Sequence, residues 1–173
     1  MFSHLAALSL LAASLGSQAA AGDQYVDKTG FAVSGYDVVS YFDLPQAAVG
    51  EAQPEPLAGQ SSITAEYNGA RFAFATAENR DAFLADPEKF VPQYDGHCAY
   101  GVAKGGKVPG NPTLWRIVDA KLYLNITEAV VGYWEEDIPG NLVRSESNWT
   151  KLEPADASTD RVPNFSSPAP ITN

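Results

Sequence analysis

Soft and nucleophilic side chains are almost missing from this chain. Its 173 residues contain one cysteine, two histidines and one methionine. A single cysteine cannot close a disulfide within the chain, so a hydrophobic core must hold the fold. Positive charge is also scarce: 11 Lys and Arg stand against 21 Asp and Glu, for a net charge of −10. That balance repels phosphate backbones and anionic lipid surfaces and excludes nucleic acid as a partner. Long apolar runs are absent too. No stretch approaches the roughly eighteen residues needed to cross a membrane.

Residues 1–21, MFSHLAALSLLAASLGSQAAA, contain no Asp, Glu, Lys or Arg. An apolar run from Leu5 to Leu15 precedes Ala19-Ala20-Ala21, the pattern of a signal peptide with an A-x-A site. Cleavage is expected near Ala21–Gly22, giving a periplasmic or secreted protein. No cysteine follows that could carry a lipid anchor. The 152 residues that remain suffice for one domain.

Within that domain, 25–42 alternates apolar and polar residues between glycines and reads as an extended element or a short helical turn. Three prolines and two glycines mark 43–60 as a surface loop. In SSITAEYNGARFAFAT (61–76), alternating runs flank Asn68-Gly69, which predicts a β-hairpin with a type I′ turn. Thr76 is placed to cap a helix ending before Pro87, with Phe83 and Leu84 expected inside, and PEKF (87–90) adds a short turn. The glycine-rich stretch 101–112 lacks phosphate-cradle spacing and reads as a flexible link. A second hairpin is predicted over 113–126, turning at Asp119-Ala120, with Trp115, Ile117, Leu122 and Leu124 on its buried face. Thr127 caps a helix ending near Pro139-Gly140. A last helix, 141–152, packs Trp149 and Leu152 inward. The tail 153–173, rich in Pro, Ser, Asp and Ala, is expected to be disordered. No internal repeat is visible.

The chemistry centres on QYDGHCAYG (93–101), which holds Cys98 beside His97. A catalytic thiol needs a histidine within reach of its proton. Neighbours in sequence point to opposite faces of a strand or diverge by roughly 100° on a helix. Adjacency therefore argues against an active thiol–imidazole pair and favours a non-enzymatic domain. Cys98, His97 and a carboxylate such as Asp95 could instead ligate a soft or borderline metal, copper or zinc. Two chains pooling donors across a symmetry axis would make that site a homodimer. The alternative is that Cys98 is a small buried hydrophobe. Glu135-Glu136-Asp137 reads as a solvated helix face. Tyr36, Tyr41, Tyr94, Tyr100 and Tyr123 read as core residues with satisfied hydroxyls. Asn125, Asn148 and Asn164 each open a glycosylation sequon, relevant only in a eukaryotic host.

The stretches GYDVVSYF (35–42), YNGARFAF (67–74), ENRDAFLADPEKFVPQYDGHCAYG (78–101) and LYLN (122–125) together resemble an exported YHS-domain protein. The most specific part is F-x-x-x-P-x-x-F-x-P-x-Y followed by Gly-x-Cys-Ala. The resemblance implies a small domain with a hairpin, the D-P-E-K-F helix and a return to the sheet. It also implies an association with copper and other heavy metals, which falls here on Cys98 and His97. The combined expectation is an α+β fold over 22–152: a small antiparallel sheet built from two hairpins, with short helices packed on it. Its expected function is to bind a metal ion or small ligand near Cys98; the alternatives are a structural or partner-binding module with a buried, inert Cys98 and, third, a thiol-dependent enzyme.

Overall fold

The computed structural model describes residues 22–167. The expected signal segment 1–21, and the tail beyond residue 167, lie outside the described residues. The fold is α+β, and its strands form two separate two-stranded antiparallel sheets rather than one. The first sheet pairs β1 (Gln60–Tyr67) with β2 (Ala70–Phe74). Asn68 and Gly69 both take positive φ at its turn, as a type I′ hairpin requires. The second sheet pairs β3 (Asn111–Val118) with β4 (Lys121–Asn125) through Asp119 and Ala120, also at positive φ.

Helices follow each hairpin. The Thr76 hydroxyl accepts from the Asn79 N–H to cap α1 (Ala77–Ala85), and α2 (Pro87–Phe90) follows. Cys98 caps the short α3 (Ala99–Ala103). Thr127 accepts from the Val130 N–H to cap α4 (Glu128–Glu135), and α5 (Ile138–Leu152) follows. The last helix thus starts three residues earlier than its sequence suggests. Asp137 caps it, and Pro139 fits a first turn whose N–H groups have no helical partner anyway.

The chain is built twice. Gln60 pairs with Phe74 and Thr64 with Ala73, and 51 residues on Asn111 pairs with Asn125 and Trp115 with Leu124, each across the same bulge. Thr76 and Thr127, and then Asp86 and Asp137, stand at the N-cap positions of the helices that follow at the same spacing, all but Asp86 accepting a capping N–H. Upstream of each hairpin lies a left-handed turn of three residues, Val33-Ser34-Gly35 in one unit and Tyr94-Asp95-Gly96 in the other. The Gly35 carbonyl accepts from Gly59 N–H at 2.9 Å, and the Gly96 carbonyl accepts from Gly110 N–H at 3.0 Å. Gly59 and Gly110 admit no side chain. A Cβ on Gly59 would stand 2.5 Å from the Ala73 backbone, and one on Gly110 would stand 2.6 Å from the Gly96 carbonyl oxygen. The repeat is faint in the sequence because the identical residues are few, Thr76 and Thr127, Asp86 and Asp137 and the paired glycines, while most other side chains differ.

Phe72, Phe74 and Phe83 stack in the centre of the first unit, fully buried. Leu84, expected beside them, is exposed, because α1 turns only its Phe83 face inward. The tyrosine expectation fits the burial of Tyr36, Tyr41, Tyr94 and Tyr123, while Tyr100 is half-buried. The stretch 101–112 is not wholly a flexible link. Its first residues belong to α3, where a Cβ on Gly101 would meet Val108 at 2.7 Å. Residues 153–167 have no helix or strand, yet they lie along the domain as a strap. Asp160 accepts from the Tyr25 hydroxyl, Ser167 donates to the Ser34 carbonyl, and Phe165 packs on Tyr36. These tertiary contacts overcome a composition that reads as disordered.

Candidate functional site

Asp95, His97 and Cys98 occupy a buried corner between the second left-handed turn and α3. Tyr94 and Asp95 hold φ near 57° and 53°, a conformation costing roughly 1–2 kcal/mol per non-glycine residue. The same turn directs the three side chains to different partners. His97 is fully buried between Tyr25 and Trp149. Its Nε2 accepts from the Ser158 N–H at 3.1 Å, which leaves the ring proton on Nδ1 to be donated to the Tyr94 carbonyl at 2.9 Å. Both nitrogens are therefore in use, and no lone pair remains for a metal.

Cys98 is fully buried. Its sulfur accepts from the Gly101 N–H at 3.3 Å and donates to Asn125 Oδ1 at 3.5 Å. Burial pushes the thiol pKa up, against backbone N–H groups that pull it down. The repeat explains this placement. In the first unit the residue after the corresponding bridge position is Asp37, whose carboxylate takes the Val39 and Ala75 N–H groups and the Asn79 amide. Asp37 N–H bonds to the Leu57 carbonyl as Cys98 N–H bonds to Val108. Cys98 thus fills the place of a structural acceptor. Asn125, buried and bonded to both Cys98 and the Tyr100 N–H, is not free to serve as a sequon. Asp95 accepts from Gln24 at 2.9 Å, and burial raises its carboxyl to about 7, with Lys107 opposing and Glu153 and Asp23 adding to the rise. Among the described residues, no three His, Cys, Asp or Glu side chains are grouped to hold a metal ion.

His97 gives a pH prediction. Its burial lowers the ring pKa from 6.5 to about 4, so between those values the unfolded chain binds a proton that the folded chain does not. Stability must then rise with pH across that window. The raised carboxyl of Asp95 acts in the opposite sense, so the slope is clearest in an Asp95→Asn background. There, urea melts should show a rise of about 1 kcal/mol per pH unit. Adding His97→Gln should remove most of it. A slope unchanged by the histidine substitution refutes the assignment.

A well-formed cleft lies elsewhere. It measures about 500 Å³ and is bounded by residues 50–53, β3 and α4. It is made by the one large difference between the two units. From Asp37 to Leu57 the chain runs ten residues longer than from Cys98 to Val108, and the excess reaches across to the second hairpin. Trp115 Nε1 donates to the Pro54 carbonyl, and Gly50 N–H donates to Glu135 Oε2. Arg116 donates to the Ala47 and Ala48 carbonyls and to Glu135 Oε1, forming a buried ion pair. Glu135 therefore leaves the expected solvated face, while Glu136 and Asp137 stay exposed.

No family model, curated protein or solved structure matches this chain. The reading of the site rests on its own geometry. Sequence reasoning missed Arg116 and Glu135, which sit 19 residues apart on a strand and a helix. The available signal was an arginine inside the apolar run from Leu114 to Val118 of β3.

Proposed function

We propose that this chain is an exported, non-enzymatic module of YHS-like build that binds a small organic cation in the cleft beside Trp115. The observation that carries this reading is that the ten-residue excess, the main departure from the internal repeat, goes into building that cleft. Leu114, Trp115 and Val131 give it apolar walls, Glu51 and Glu128 bring negative charge, and no Lys or Arg lines it. A net charge of −10 favours the same ligand sign. The element order of hairpin, D-P-E-K-F helix and second hairpin supports the YHS-like part of the reading. The stretch 93–101 then acts as scaffold, with Cys98 an inert acceptor.

The test titrates labelled protein with benzylamine and, separately, with benzoate of similar size. Benzylamine is expected to shift the amide signals of Leu114, Trp115 and Val131, whereas benzoate leaves them in place. Glu128→Gln should weaken the amine by about 2–5-fold, the effect of one exposed charge pair. Equal responses to both ligands, or none, would reject the reading.

A further inference from the structure

We propose that Ala21–Gly22 is a processing site and that the α-ammonium created at Gly22 seats against the unpaired carboxylate oxygen of Asp95. The proposal rests on the export reading above, but its structural part stands on geometry inside the domain.

Asp95 is more than nine-tenths buried. Its Oδ1 accepts from Gln24 Nε2, while its Oδ2 and Gln24 Oε1 have no partner among the described residues. Two unpaired acceptors at one buried spot call for a donor. Lys107 acts on Asp95 through its charge, but its ammonium is held by the Glu153 and Ala155 carbonyls at 3.2 and 2.6 Å and makes no hydrogen bond to Oδ2. The other charges acting on Asp95, Glu153 from the end of α5 and Asp23 from the N-terminal segment, are negative.

Gly22 stands directly against this spot. A Cβ on Gly22 would lie 2.4 Å from Asp95 Oδ2 and 2.9 Å from the Glu153 carbonyl oxygen, so no side chain fits. The nitrogen of Gly22 is bonded to the same Cα and so lies within about 5 Å of Oδ2. In the uncut chain that nitrogen is an amide tied to Ala21. Hydrolysis adds one water across the Ala21–Gly22 bond. The carbonyl carbon keeps the oxygen as a carboxylate, and the nitrogen leaves as an amine that takes up a proton. The resulting ammonium carries three donors and a full charge, and it can turn about its own Cα. It is the hydrogen-bond donor that Asp95 Oδ2 lacks. Cutting the leader would thus lock the new terminus to the second left-handed turn and, through Glu153, to the strap.

The experiment compares two chains, one beginning at Gly22 and one beginning at Ala21, whose ammonium sits one residue too far out. The Gly22 chain is expected to melt about 5 °C or more above the other. Acetylating its α-amine, or making Asp95→Asn in both chains, should erase the difference. Equal midpoints for the two unmodified chains overturn the seat. Intact mass of the protein released by its host should correspond to a Gly22 start, and any other first residue overturns the processing site. Retention of the uncut chain inside the cell would instead reject the export reading, and the melting comparison would still decide the seat.

Discussion

Arg116→Ala is expected to destabilise the domain by about 3–5 kcal/mol, the usual effect of removing one partner from a buried ion pair. Both side chains are nearly sealed from water, at 7% and 5% exposure. Arg116 approaches Glu135 Oε1 through Nε at 2.8 Å and Nη2 at 2.5 Å, and its Nη1 and Nη2 also hold the Ala47 and Ala48 carbonyls. Alanine leaves Glu135 Oε1 and two loop carbonyls without donors, with only the Gly50 N–H still on Oε2. Chemical denaturation should show the loss in its midpoint, and a cost under about 1 kcal/mol would mean that water replaces the guanidinium freely. The double variant Arg116→Met with Glu135→Leu tests the other half of the argument. It should recover most of the stability, since two apolar groups need no partners, while the loop ahead of β1 loses its Arg116 and Glu135 bonds and is held by Trp115 on the Pro54 carbonyl, and benzylamine binding falls.

The internal repeat supplies the second large effect. Asp37→Ala should cost about 3–4 kcal/mol, because the fully buried carboxylate is the acceptor for two backbone N–H groups and the Asn79 amide. Cys98→Ser, at the matching place in the second unit, should cost about 1 kcal/mol, since a hydroxyl can take over the Gly101 N–H. The two measurements together test the equivalence of the sites. Equal costs, or a serine variant that is the worse of the two, would show that the thiol has a role the repeat does not explain.

Local chemistry made much of the fold legible. Asn68-Gly69 and Asp119-Ala120 name their own turns, and Thr76 and Thr127 name the helices they cap. What escaped depends on distance along the chain. Ser158 reaches His97 across 61 residues and Ser167 reaches Ser34 across 133, so the composition of the strap says nothing about its docking. Leu84 escaped for a different reason: one residue of helical rotation separates a core face from a solvent face. For Asp95, His97 and Cys98, adjacency in sequence does not disclose what each side chain bonds to. Whether His97 has a free lone pair depends on Ser158, and Cys98 can be read as an acceptor only beside Asp37.

The strap also sets an order of events during synthesis. A chain emerging from its N-terminus can form the first hairpin early, yet His97 waits for Ser158 to arrive 61 positions later. Until then the corner beneath the strap stays open, and the tertiary structure cannot close. A polypeptide whose corner is closed from residue 158 keeps His97 without that partner while the first 157 residues already exist.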